Sequence, residues 1–335
     1  MDIQEKILSP IRSEFRLFEE EYERVLRTDN PLLREVLSSL LARRGKQMRP
    51  MIVLLCAKLC GEINEKTIKT AVALELLHTA SLLHDDVVDN SDMRRGMPTV
   101  HKQWNNKVAI LVGDFMLSKV IELVASLRNV RILNIVSDMG KALAGGELLQ
   151  LEHSEEFYSS ADLLSERQYF SVIENKTARL FSACAEAGAV SAGATLRQET
   201  ALTTYGEHLG ICFQMQDDIL DFSDSEELGK PTMGDIREGK ITLPLLVSLQ
   251  RATQDERRRI LSLLRGPINF DAEQDIHSFV LRYDGIRYAR RKMQEHYNMA
   301  VNALQSAVRP QHDTLTDRLL SSLIALADYA VNRVK

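Results

Sequence analysis

Leu82-Leu83-His84-Asp85-Asp86-Val87-Val88-Asp89-Asn90-Ser91-Asp92-Met93-Arg94-Arg95-Gly96 sets an acid cluster at the end of an apolar run and follows it with two arginines. The run from Ala71 to Val88 is apolar at nearly every position, which predicts a central helix buried on most sides. In a helix, Asp85 and Asp89 stack on one face, with Asp86 about 100° around it. Carboxylates are unfavourable there, because a helix C-terminus carries partial negative charge and the acids repel one another. A divalent cation relieves both effects, and magnesium suits a carboxylate face that leaves other coordination positions to water and phosphate. Asp217-Asp218-Ile219-Leu220-Asp221 repeats the spacing at the end of another apolar run. Two metal-binding faces confronting each other across a cavity are therefore expected.

The rest of the chain is consistent with a large helical core. Of 335 residues, 44% are apolar, and 42 Lys and Arg against 47 Asp and Glu give a net charge of −5. That balance disfavours a general nucleic-acid or anionic-membrane surface. The N-terminal Met1-Asp2-Ile3-Gln4-Glu5-Lys6 lacks the pattern of a signal peptide, and no uninterrupted apolar stretch of about 18 residues follows, so a cytoplasmic location without a membrane span is expected. Cys56, Cys60, Cys184 and Cys212 lie in apolar runs and read as buried thiols. Apolar spacing predicts helices over 3–27, 32–43, 51–59, 66–89, 108–127, 130–151, 163–192 and 200–222. Helices resume at Ile241, with breaks at Gly266-Pro267 and Arg309-Pro310 and a last helix over 315–334. No alternating strand pattern and no Pro-, Gly- or Ser-rich linker is present, so one all-α domain over 1–335 is the simplest architecture.

Several cations interrupt this apolar background. Arg44-Gly45-Lys46-Gln47-Met48-Arg49-Pro50 is a basic loop leading into a helix, whose N-terminus offers free N–H groups; Lys46 and Arg49 are its candidate anion ligands. Arg94 and Arg95 can make forked phosphate contacts beside the first acids. Lys230 and Lys240 follow the second acids in a long polar break, and Lys176-Thr177 lies in mid-course of the helix over 163–192. Gly113, Gly140 and Gly145-Gly146 read as helix-packing positions rather than a phosphate loop. No Ser-His-Asp or Cys-His order suggests a nucleophile or a zinc site. Two carboxylate triplets, separated cations and apolar helices together point to a diphosphate joined to an apolar body.

With these features in place, the sequence resembles the trans-isoprenyl diphosphate synthases, most of all their long-chain polyprenyl members. The likeness rests on both aspartate motifs, Gly45 to Pro50, His78, Arg94-Arg95-Gly96, Lys176-Thr177, Phe213-Gln214, Gly229-Lys230-Pro231 and Gly239-Lys240, and runs most strongly from Gly45 to Pro244. It implies a single-domain orthogonal helical bundle of the isoprenoid (terpenoid) synthase type with a central cavity. The implied reaction is ionisation of an allylic diphosphate, condensation with isopentenyl diphosphate and elimination, the departed diphosphate taking the final proton. By resemblance, Asp85, Asp89 and Asp217 ligate magnesium, three ions per substrate-bound site, with Asp86, Asp218 and Asp221 in support. Arg94, Lys176, Lys230 and Lys240 contact the allylic diphosphate. Lys46, Arg49, His78 and Arg95 hold isopentenyl diphosphate, and Phe213 packs beside its hydrocarbon. Lys176, Thr177 and Gln214 border the allylic cation. A homodimer is implied, with peripheral membrane contact for product release.

Product length is argued from the helix that ends at Asp85. Ser81, Ala80, Leu77 and Ala73 share a face above the acids and are expected to line the channel of the growing tail, with Phe115, Met116, Val120 and Leu123 as floor candidates. Ser81 and Ala80 are small where several short-chain farnesyl enzymes of the family carry aromatics, and the first motif lacks a two-residue insertion. Both features point to a longer product, and the family resemblance implies eight or nine isoprene units, about C40 to C45, for a quinone side chain. Alternatives are a farnesyl or geranylgeranyl synthase and a non-catalytic partner subunit; a terpene cyclase is disfavoured by 6% aromatics and by Lys46 and Arg49.

Overall fold

In the chain's computed structural model, residues 3–43, 45–159, 165–222, 233–308 and 313–333 are described. The chain folds into two compact units, each built from segments distant in sequence. The first comprises Met1–Lys141, Leu180–Gly206 and Asn302–Leu326; the second comprises Ala142–Arg179, Glu207–Val301 and Ala327–Lys335.

At the centre of the first unit is the helix Glu65–Val88, in contact with Asn106–Ser126, Met48–Cys60 and Arg12–Val25. Asn64 caps it, accepting from Lys66 and Thr67 N–H while Thr67 Oγ1 accepts from the Asn64 N–H. As its all-round apolar sequence predicts, Ala71, Val72, Ala73, Leu74 and Leu76 are fully buried. Ile52, Val53, Leu54 and Leu55 on the helix Met48–Cys60 are equally buried, each contributing roughly 1.5–3 kcal/mol of burial. That helix starts at Met48 rather than Met51, because Pro50 falls in its first turn, where no N–H is needed. The expected helix over 3–27 is divided: Ile3–Leu8, a 3₁₀ turn Ser9–Ile11 containing Pro10, then Arg12–Val25. Phe15, Phe18 and Tyr22 form its buried stripe, with ring centroids 5.4 and 5.7 Å apart.

The expected absence of strands is corrected by one short hairpin. Met93–Arg94 pairs antiparallel with Met97–Pro98 around Arg95 and Gly96, whose φ values of 52° and 75° make a tight turn. Two residues per strand are too few for alternation to show in the sequence.

The expected helix over 163–192 is corrected to Glu166–Ile173 and a π-helical turn Glu174–Ala178, both in the second unit, and the continuation Arg179–Ser191, which from Leu180 on belongs to the first. The π turn contains Lys176 and Thr177. Leu243–Arg251 contacts Phe270–Arg282 and Glu166–Ile173. The last helix is Thr314–Asn332. All four thiols are free: Cys56, Cys184 and Cys212 are buried and Cys60 is half-buried. No described helix is long and apolar enough to cross a membrane.

Candidate active site

In the first unit the central helix ends where its acids begin. Asp89 is its C-cap, with its N–H on Asp85 O at 2.8 Å, and Asn90 takes a left-handed conformation at φ 49°. Asp85 and Asp89 are partly exposed, whereas Asp86 is buried. The hairpin returns the chain so that Arg94 Nε donates to Asp86 Oδ1 at 2.6 Å. Burial raises the Asp86 pKa, and the Arg94 charge and hydrogen bond pull against it without prevailing. Asp86 is thus a fixed, paired carboxylate beside the two more accessible ones.

Arg95 points the other way, donating from its guanidinium to Arg43 O at 3.1 Å. It passes so close to Gly45 that a Cβ there would lie 2.5 Å from the guanidinium, which gives the glycine of the basic loop a steric reason. Gly45, Gln47, Glu75, His78, Arg94 and Arg95 line one pocket. Arg49 lies in the first turn of its helix with its guanidinium 5.1 Å from the centroid of the Phe181 ring, and Lys46 is exposed. Burial, then Arg49, Arg95 and Arg94, push the His78 imidazole well below its usual pKa. A neutral histidine among guanidiniums can hydrogen-bond an anion without adding charge.

Of the residues expected to hold isopentenyl diphosphate, Arg95 and His78 line this pocket, Arg49 acts on it electrostatically, and Lys46 adjoins its Gly45 and Gln47. Phe213 belongs to the second unit. Glu75 was not foreseen as a site residue; burial raises its pKa while Arg49 and Arg95 oppose the shift. A lone acid in the apolar run ahead of Asp85 was the available signal.

The second unit gathers carboxylates. Asp218 is 2% exposed and accepts from Tyr169 Oη at 2.6 Å and Gln214 Nε2 at 2.9 Å. Gln214 Oε1 in turn accepts from Thr177 Oγ1 at 2.7 Å. Asp221 accepts the backbone N–H groups of Gly234 and Asp235 at 2.9 and 3.1 Å, which ties the second motif to the loop that ends in Lys240. Burial raises the pKa of Asp218, Asp221 and Asp235, and mutual repulsion adds to each shift of Asp218 and Asp235. Tyr169, Lys176, Gln214, Asp218, Asp235 and Lys240 share a pocket.

Lys176 forms a 2.5 Å ion pair with Glu147 and donates to Gln150 Oε1 at 3.2 Å. The π turn reaches this position because Gly146 has no side chain: a Cβ would meet the Lys176 backbone N at 3.0 Å. Lys240 Nζ donates to Glu238 Oε2 at 2.5 Å. Asp217 pairs with Arg333 at 2.7 Å, and the same guanidinium lies 3.7 Å from the Phe213 ring centroid. Arg333, Tyr169 and Asp235 were absent from the sequence-based site; only Asp235, in a charged run of a polar break, gave any signal. Lys230, with Gly229 and Pro231, lies outside the described residues.

The donors available to a metal are carboxylate oxygens, the class preferred by hard divalent cations, and the crowded, raised pKa values of the second cluster are those a cation would relieve. Among the described residues no three His, Cys, Asp or Glu side chains are close enough to form a metal cage by themselves.

Comparison with known proteins accounts for this combination. The polyprenyl synthetase family profile matches residues 30–281. The octaprenyl diphosphate synthase of Haemophilus influenzae is 36% identical over 309 residues, 92% of this chain and 90% of the relative. The crystal structure of a decaprenyl diphosphate synthase from Rhodobacter capsulatus superposes with a TM-score of 0.89 at 32% identity, covering 99% of both chains. A polyprenyl synthase from Caulobacter crescentus, complexed with calcium and isoprenyl diphosphate, gives 0.88 at 31% identity over 99% of this chain and 98% of that one. The architecture is therefore the all-α isoprenoid synthase fold, and the chain belongs to the polyprenyl synthetase family as a trans-prenyltransferase.

Proposed function

We propose that the chain extends an allylic diphosphate, such as farnesyl diphosphate, by repeated addition of isopentenyl diphosphate to an all-trans product of about C40 to C45 that serves as a quinone side chain. The observation that carries this reading is that the pocket of the first unit is ordered around guanidiniums and that of the second around carboxylates and lysines. Prenyl transfer needs both: an anion site for the incoming diphosphate and an acid cluster for a cation-bound leaving diphosphate. That one family profile runs across residues of both units supports a single functional domain.

In this reading Asp85, Asp89 and Asp217 hold magnesium, three ions when substrate is bound, with Asp86, Asp218 and Asp221 fixed in support. Magnesium supplies neutralisation of charge on the departing diphosphate. Arg94, Lys176, Lys230 and Lys240 bind the allylic diphosphate; Lys46, Arg49, His78 and Arg95 bind isopentenyl diphosphate, with Phe213 beside its hydrocarbon. The allylic C1–O bond breaks, the isopentenyl double bond supplies the pair for the new C–C bond, and the C2 proton leaves to the departed diphosphate. Thr177 and Gln214 present oriented dipoles to the cation.

Small residues support the long product. Ala73 and Ala80 are fully buried and Leu77 nearly so, on one strip with the half-buried Ser81, and Met116, Val120 and Leu123 are buried on the helix packed against theirs. The octaprenyl and decaprenyl names of the relatives agree with that direction. A cytoplasmic homodimer with peripheral membrane contact at product release completes the proposal. Diphosphate release by the purified chain alone, measured with isopentenyl and farnesyl diphosphates, tests the reading. Turnover that stops with EDTA and returns with magnesium is expected; turnover only after a second protein is added indicates a partner subunit instead.

A further inference from the structure

Tyr169 has no part in the reaction described above, yet it completes a chain of four side chains within the second unit. Tyr169 Oη and Gln214 Nε2 donate to the two oxygens of Asp218, and Thr177 Oγ1 donates to Gln214 Oε1. The directions follow from chemistry. An ionised carboxylate only accepts, so the phenol and the amide NH2 must both donate. An amide whose NH2 faces Asp218 turns its carbonyl oxygen the other way, where it accepts the one proton that Thr177 owns. The Thr177 hydroxyl is left with lone pairs alone to offer.

The members of this chain have little freedom to rearrange. Tyr169, Asp218 and Thr177 are 5%, 2% and 8% exposed, so little water can replace a lost partner. The Tyr169 ring packs edge-on against Phe170 at 5.3 Å between centroids. Thr177 is carried on the π turn that closely approaches Gly146. π turns often mark functional positions.

We propose that Tyr169 is a positioning residue for prenyl transfer, fixing through Asp218 and Gln214 the orientation of the Thr177 hydroxyl so that its lone pairs face the developing allylic cation. The inference rests on the placement of Thr177 and Gln214 beside that cation. A hydroxyl free to rotate would also present its positive hydrogen and would have to reorganise as charge develops; a preset one does not.

A double-mutant cycle with farnesyl and isopentenyl diphosphates tests it. Tyr169→Phe keeps the ring and removes the phenol; it should lower kcat on the order of tenfold, below the hundredfold or more typical of losing a direct electrostatic contact, with KM for isopentenyl diphosphate unchanged. In a Thr177→Val background the same change should cost less than about twofold, because the hydroxyl it orients is gone. Thr177→Ser, which keeps the hydroxyl, should restore the full cost. With an active wild type, additive losses or a change confined to KM overturn the relay and leave prenyl transfer standing; an inactive wild type overturns both. If circular dichroism shows that Tyr169→Phe does not fold, Gln214→Met takes its place in the cycle, with the same two outcomes.

Discussion

Asp85, Asp86 and Asp89 are equivalent as letters but not in the folded chain. Asp86 is buried and paired with Arg94, while Asp85 and Asp89 remain partly exposed on the same helix end. The second motif differs again: Asp218 is enclosed by Tyr169 and Gln214, Asp221 by two backbone N–H groups, and Asp217 faces Arg333. Asp85→Ala removes a proposed metal ligand that is only partly buried. It should lower magnesium-dependent kcat/KM by at least about a hundredfold while leaving the thermal midpoint within a few degrees; near-normal turnover would remove Asp85 from the metal site. The acids themselves were legible because charge at the end of an apolar run needs compensation. Which of them is enclosed was not, since that depends on Tyr169, 49 residues away in sequence from Asp218.

At the scale of elements, apolar periodicity located the long helices, and it failed where a local backbone choice depended on a neighbour. The π turn at Lys176 is compatible with close approach to Gly146, a contact between sequence-distant residues that no spacing within 163–192 encodes. The hairpin at Arg95-Gly96 was missed because it is too short to alternate.

A second contact between helices is expressed in pH dependence. His208 on Leu196–Asp221 and His296 on Gly285–Ala307 meet through their Nδ1 atoms at 3.1 Å, with the Phe170 ring tilted against His296 at 5.5 Å between centroids. Burial lowers both pKa values; burial first, then His208 and Lys292, bring that of His296 to about 4 against the opposing Glu295. Between about 6.5 and 4 the unfolded chain therefore binds protons at His296 that the folded chain does not, and stability falls as pH falls. The pair is only about half buried, so the slope should be less than the roughly 1.4 kcal/mol per pH unit of one full proton. Thermal unfolding of wild type and His296→Phe between pH 7 and 5 checks this: the wild type should lose more stability, and parallel curves would contradict it.

For the whole molecule, the all-α class and the identity of the chemistry were open to inference because they depend on composition and on an ordered set of motifs spread from Gly45 to Lys240. The division into two compact units was not, because no linker marks it. The proposed homodimer has a candidate surface in the first unit: Ile110, Leu111 and Ile121 on Asn106–Ser126 are 41%, 66% and 70% exposed. Large apolar residues exposed on one helix are expected at a subunit interface. Sedimentation equilibrium at micromolar concentration should give the mass of a dimer, and a monomer at all concentrations would contradict the proposed assembly.

The length of the product bears most directly on the central claim. With purified protein, magnesium, farnesyl diphosphate and excess isopentenyl diphosphate, chromatography of the dephosphorylated products should show an all-trans distribution ending near C40 to C45. A distribution that stops at C20 or shorter would contradict the long-chain reading.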